Sequence, residues 1–218
     1  MGKLAVDISM SLDGFVAGPS PTLEQPLGEG GEGLHEWALV LESWRRPHGL
    51  TGGETNASTE VVEASLEATG AVVMGRRMFS GGEGPWEDDP NADGWWGDNP
   101  PFHVPVFVLT HHARETVTKD GGTTFAFVTE GIEAALEEAR AAAGEKDVHV
   151  AGGAAAAVQQ YLAAGLVDEL HINLAPVLLG SGTRLFDAQG AAQPALELIG
   201  VVEAPAVTHL KYSVLDRS

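Results

Sequence analysis

The chain has 218 residues, 12 of them Lys or Arg and 31 Asp or Glu, for a formal charge of −19, and it contains no cysteine. So few cations cannot neutralise a nucleic-acid backbone, which argues against duplex binding and against docking on anionic membranes. The missing thiol excludes disulfides, thiolate nucleophiles, iron–sulfur clusters and Cys-type zinc sites, while a 44% hydrophobic content predicts one folded domain over 1–218 rather than disorder.

The N-terminal M-G-K-L-A-V-D-I-S lacks the charged head and apolar run of a secretory signal, and no stretch approaches the roughly 20 apolar residues of a membrane span. The cytoplasm is the expected compartment. Residues 3–10 alternate Leu4, Val6, Ile8 and Met10 with smaller or polar neighbours, the period of a strand with one face in a core. It stops at Asp13-Gly14. The Gly-, Pro- and Glu-rich stretch 18–33 shows no period and is expected to be a mobile surface loop. Leu34, Trp37, Ala38, Leu41 and Trp44 then follow helical spacing, closed by Pro47 and Gly49.

A second helix, capped by Ser58 or Thr59, carries Val61, Val62, Ala64, Leu66 and Ala68 up to Gly70, and the apolar run 71–74 follows as a buried strand. Residues 79–105 hold five prolines with Trp86, Trp95, Trp96 and Phe102. A loop this long is expected to be functional or packed by its own side chains: a pocket wall, a cover for a sheet edge or a subunit contact. Strands are predicted at 106–110, 124–128 and 148–151, with helices at 131–143 and after Gly153 as far as Gly165. The strand-helix-strand order over 106–175 predicts a mostly parallel sheet with helices on its faces. Segments 196–203 and 207–215, joined through Ala204-Pro205, should pair antiparallel.

Two features suit anions. V-H-V-A-G-G-A-A-A-A-V at 148–158 is a strand running through two glycines into a helix, where free backbone N–H groups hold phosphate or simply make a tight turn. M-G-R-R-M at 74–78 puts two of the twelve cations at a strand end, and guanidinium geometry matches phosphate. Arg45-Arg46 lies at a predicted helix C-terminus, where the dipole accounts for it. No metal is expected: H-E-x-x-H is absent, and adjacent His111-His112 would face opposite ways. No G-x-S-x-G elbow is present, so hydrolysis is disfavoured. Asp13 and Glu36 are candidate proton donors, or merely solubilising carboxylates.

S-L-D-G-F-V-A-G at 11–18, V-M-G-R-R-M-F at 73–79, V-F-V-L-T at 106–110, V-A-G-G-A at 150–154 and D-E-L-H-I-N-L-A-P-V-L-L-G-S-G-T-R-L-F at 168–186 together resemble the dihydrofolate-reductase-like family. They are most similar to the branch holding the reductase domain of the bifunctional riboflavin-biosynthesis deaminase/reductase. The resemblance implies an α/β three-layer sandwich with a mostly parallel central sheet and an antiparallel C-terminal hairpin. It implies a homodimeric NADPH-dependent reductase of a small pteridine or ribosylaminopyrimidine-like heterocycle.

Carried over position by position, Gly75, Arg76, Arg77 and Met78 would line the adenosine phosphate, and Thr110 and His111 the 2′-phosphate. Gly152, Gly153, Ala154 and Ala155 would meet the pyrophosphate, and the backbone of Ala5 with the loop from Ser11 to Phe15 would lie against the nicotinamide. The folate enzyme's acid falls among Leu34, His35 and Glu36, and Asn173 takes the place of a polar residue beside the substrate. Phe15 stands where the riboflavin-type reductases carry lysine, and Met78 where folate reductases carry threonine. The reading from a different class is a non-catalytic nucleotide-binding or interaction protein that keeps the fold.

Overall fold

The computed structural model describes residues 2–151, 155–186 and 194–215. In chain order its elements are β1 (Leu4–Ser11), β2 (Phe15–Ala17), α1 (Glu36–Leu39), α2 (Glu42–Arg45), α3 (Ala57–Ala68), β3 (Thr69–Gly75), α4 (Arg76–Ser80), β4 (Pro105–Leu109), β5 (Val117–Thr118) and β6 (Thr124–Val128). They continue with α5 (Ile132–Ala143), β7 (Asp147–Ala151), α6 (Ala155–Ala163), β8 (Glu169–Ala175), β9 (Thr183–Arg184), β10 (Ala195–Ala204) and β11 (Val207–Leu215). Nine strands form one sheet in the order β10-β11-β8-β1-β7-β3-β4-β6-β5, and β2 pairs with β9 apart from it. The central pairings from β8 to β6 are parallel, whereas β10 with β11, β11 with β8, and β5 with β6 are antiparallel.

Period 2 divides β1 between two environments. Leu4, Val6 and Ile8 join Val148, Val150, Leu170 and Ile172 in the main core, packed beneath Leu136 and Ala139 of α5 and Val158 and Tyr161 of α6. The alternate residues of β1 turn to the opposite face, under α1 and α3, where buried polar groups collect: Ser9, His149, Glu169, Asn173 and His209. The buried polar groups on that face lie on β7, β1, β8 and β11 and call for hydrogen-bond partners, whereas farther across the same face β3, β4 and β6 turn Val72, Met74, Val106, Val108 and Phe125 into a second apolar core.

The expected helix over Leu34–Trp44 is broken. Leu34, Trp37, Ala38 and Leu41 are buried as their spacing implies, but Leu41 is extended at φ −76° and ψ 137°. Glu54 N donates to Val40 O (2.7 Å) and Glu42 N to Glu54 O (3.0 Å), so the glycine-rich stretch that follows pairs with the helix midpoint and unwinds it. The cap of α3 is Asn56, not Ser58 or Thr59. Asn56 accepts from Ser58 N (2.9 Å) while Thr59 Oγ1 accepts from Asn56 N (3.0 Å), a reciprocal capping box.

The loop expected to be mobile is closed by its own backbone, with Gly18 N donating to Leu27 O (2.7 Å) and Glu29 N to Pro19 O (2.9 Å). Gly28 sits there at φ 70°, where a Cβ would collide with the Gly18 carbonyl. The aromatic segment after Phe79 covers the sheet. Trp86, Trp96 and Phe102 pack on a second core of Val72, Met74, Phe79, Val106, Val108 and Phe125. Trp95 Nε1 (2.7 Å) and Trp96 Nε1 (3.2 Å) both donate to Met78 O. No helix among the described residues is long and apolar enough to cross a membrane.

Candidate active site

Open α/β sheets take ligands outside the C-terminal ends of their strands, where neighbouring strands send their connections to opposite faces. Here β1 leads to α1–α3 on one face, β7 leads to α6 on the other, and the two strands are parallel neighbours. Asp7 lies opposite Ala151, the last residue of β7, so its carboxylate stands at the edge of that crevice, on the α3 side.

A hydrogen-bonded chain fixes that carboxylate. Asn173 Nδ2 donates to Asp7 Oδ1 (2.7 Å) and Ser65 Oγ donates to Asp7 Oδ2 (3.1 Å). With the Asn173 amide oriented by Asp7, its Oδ1 is left to accept from His209 Nδ1 at 2.7 Å. His209 therefore carries its proton on Nδ1, and Nε2 accepts from Ser58 Oγ at 2.8 Å. Burial lowers the His209 pKa, with Asp7 pulling weakly the other way, and Trp37 seals the ring edge-on at 5.0 Å. Trp37 Nε1 in turn donates to Ser9 Oγ (3.2 Å). The result is an acceptor held at a fixed angle by α3, β8 and β11 together.

The structure sorts the residues singled out from sequence. Asn173 is buried and spent on Asp7 and His209, so it positions a neighbour rather than meeting a ligand. Asp13 accepts from Ser11 Oγ (2.6 Å), Leu179 N (3.2 Å) and Gly180 N (2.7 Å), and the Ser11 bond first, then those amides, hold its pKa down at about 2. A group so acidic clasps two loops and makes a poor proton donor at neutral pH. Glu36 is exposed at the start of α1 and makes no side-chain hydrogen bond among the described residues. Ala5 lies in mid-sheet between His149 and Glu169, well short of the strand ends, because β1 runs on through Ser11.

Gly75 and Thr110 do stand at neighbouring strand ends, beside Ala151, giving an edge of small residues that continues from the crevice across β7, β3 and β4. His111 is exposed next to it, and buried Ala155 opens α6. Gly152, Gly153 and Ala154 lie outside the described residues. Met78 is taken up by the aromatic cover. The two arginines are both paired: Arg76 with Asp89, the side chains 7% and 2% exposed, and Arg77 with Glu83 at the surface. Arg76, buried on Asp89, has no free fork to offer a ribose 2′-phosphate, whereas Arg77 stands exposed in a surface pair with Glu83.

Lower on the polar face, buried Glu169 accepts from Lys211 Nζ (2.7 Å) and His171 Nε2 (2.9 Å) and from Lys3. Burial alone would raise its pKa; the bonds from Lys211, Lys3 and His171 override burial and bring it to about 2. Because the folded value lies below the ordinary 4.5, this stabilisation is complete above pH 4.5 and is lost as pH falls toward 2. Its size is about 3 kcal/mol. Thermal melts from about pH 5 down to about pH 3 should therefore fall more steeply for the wild type than for Glu169→Gln. Parallel slopes would remove Glu169 from the acid response.

The sequence model of the RibD C-terminal domain family matches residues 2–210. The chain belongs to the RibD C-terminal domain family. Among solved structures, it is similar to a Shewanella sp. PV-4 protein assigned to riboflavin biosynthesis, with a TM-score of 0.60 at 22% identity over 98% of this chain and 99% of that one. Acinetobacter baumannii RibD gives 0.59 at 17% identity, over 99% of this chain and 59% of that one. The Thermotoga maritima diaminohydroxyphosphoribosylaminopyrimidine deaminase/5-amino-6-(5-phosphoribosylamino)uracil reductase gives 0.59 at 12% identity, over 98% and 57%. The chain thus spans little more than half the length of the latter two. No curated protein sequence matches it.

Within this RibD-type fold, the site residue that sequence reading passed over is Asp7. Its signal was a single acid inside the apolar alternation of V-D-I-S, which reads as a solvent-facing position until β8 and α3 are known to cover that face.

Proposed function

We propose that the chain is a reductase of a ribosylaminopyrimidine-like heterocycle, with a nicotinamide dinucleotide as hydride source. The observation that carries the reading is the buttressed Asp7 carboxylate at the crevice between β1 and β7, within the RibD C-terminal domain fold. The dinucleotide supplies the hydride when bound, and NADPH is the form the resemblance implies. The chain's own task is to hold the acceptor. Asp7 has two donors already in place and accepts further N–H donors from an aminopyrimidine edge, aligning the ring for transfer. As the acceptor carbon gains hydride, the adjacent heteroatom gains a proton, delivered from solvent along the Asp7 side of the crevice.

The test is oxidation of reduced nicotinamide with a ribosylaminopyrimidine acceptor, followed by absorbance. Acceptor-dependent oxidation supports the reading. Binding of the dinucleotide with no oxidation for any pteridine or aminopyrimidine would favour a non-catalytic nucleotide-binding protein instead.

We infer a homodimer as the working form. The edge strand β10 exposes Leu196, Leu198, Ile199 and Val201 along an antiparallel hairpin with a register shift between Leu198 and Gly200, an apolar edge that two-fold pairing would cover. Light scattering should give a dimer for the wild type and a folded monomer for Val201→Glu. A monomeric wild type at micromolar concentration overturns the inference.

A further inference from the structure

Three guanidiniums stand around the C-terminal edge of β3 and β4, and the segment linking those strands supplies an acid to each. Arg76 pairs with Asp89, Arg77 with Glu83, and Arg114 with Asp93 at 3.6 Å. Arg76 also donates from Nε to Ser80 Oγ (3.0 Å), which itself donates to Asp89 Oδ2 (2.7 Å). Trp86 lies between two of the three, with the Arg76 guanidinium 3.3 Å and the Arg114 guanidinium 4.6 Å from its ring centroid. Trp86 Nε1 ties the stack to the turn after β4 through His112 O at 2.7 Å.

A guanidinium receives phosphate by presenting its N–H fork outward, and a buried fork already matched to a carboxylate has nothing left to present. Arg76 is in that state. Arg77 and Arg114 are nearer the surface but each carries its own acid, and the exposed Glu87 and Asp88 of the same segment add negative charge with no arginine opposite them among the described residues. On a chain of charge −19, this edge repels a further dianionic group.

We propose that the acidic segment between β3 and β4 sets cofactor choice against the 2′-phosphate, so that this chain takes NADH in preference to NADPH. The proposal rests on the reductase reading for the presence of a dinucleotide and departs from the NADPH expected by resemblance. Glu83 and Asp93, both at the surface, are its specificity-determining residues, while buried Asp89 keeps Arg76 committed.

The experiment is calorimetric titration of the wild-type chain with NADH and with NADPH at matched ionic strength, repeated on the double variant Glu83→Gln/Asp93→Asn. Those two acids are surface groups, and circular dichroism verifies that the variant is folded. Wild type should bind NADH about fivefold tighter than NADPH. In the variant, with Arg77 and Arg114 released, NADPH should tighten about tenfold while NADH stays unchanged. Equal or tighter NADPH binding by the wild type overturns the proposal and leaves the reductase reading standing, as does an unchanged NADPH-to-NADH ratio in the variant. Binding of neither dinucleotide overturns the reductase reading and the proposal with it.

Discussion

Replacing Asp7 with asparagine should lower turnover about 100-fold while leaving the melting temperature nearly unchanged. The amide is isosteric. Its oxygen can still accept from Asn173 Nδ2, and its nitrogen can donate to Ser65 Oγ, so both supports of the wild-type carboxylate survive. What is lost is the negative acceptor at the crevice edge, and with it the alignment of an N–H-bearing ring. Steady-state kinetics should place the loss in kcat as well as KM, because a misaligned acceptor that still binds reacts slowly. Unaltered kcat in a folded Asp7→Asn protein would remove Asp7 from the alignment of the acceptor. His209→Gln supplies the companion measurement, since it should shift activity through the orientation of Asn173 rather than through charge.

The largest expected effect on stability comes from Asp89→Ala. This change leaves the Arg76 guanidinium buried against Trp86 with its counter-ion gone, and breaking one side of a buried pair costs about 3–5 kcal/mol. In the folded protein, burial would raise the Asp89 pKa, but the bonds from Ser80 and Arg76 hold it below the ordinary carboxylate value. The pair is therefore intact at neutral pH and weakens as pH falls below the usual carboxylate range. For a chain of this length, the loss corresponds to a drop of roughly 6–20 °C in Tm. The exposed pair Arg77–Glu83 sets the contrast, since its removal should cost less than about 1 kcal/mol. Calorimetric melts of Asp89→Ala and Glu83→Gln side by side check both. Equal, small losses would mean that Arg76 is not the fastening of the aromatic cover.

The sheet was legible because its central strands announce themselves. Leu4, Val6 and Ile8 alternate over enough residues to fix a face, and the two long C-terminal segments flank a Pro-containing turn that leaves antiparallel pairing as the simple outcome. The short pieces were not legible. β5 and β9 have two residues each, too few to show any period, and the break at Leu41 depends on pairing with Glu54, thirteen positions away. Sequence identified the buried side of that segment correctly while missing its interruption, because burial follows spacing and continuity follows backbone partners.

The site divides in the same way. Gly75 and Thr110 reach the predicted strand ends because glycine and threonine close β3 and β4 directly in sequence. The arginine pair misled, because its acids come from a different stretch of chain: Asp89 lies thirteen residues beyond Arg76, inside a segment whose prolines and tryptophans give no periodic clue to where it folds back. Asp7, Asn173 and His209 belong to three strands that become neighbours only once β8 and β11 are set beside β1.

Hydrogen–deuterium exchange with and without saturating NADH tests the central claim most directly, because it reports where a dinucleotide sits as well as whether it binds. New protection is expected at the ends of β1, β3, β4 and β7, in peptides spanning 7–13, 74–77, 108–112 and 149–156. Protection confined to other surfaces, or none at any ligand concentration, would contradict it.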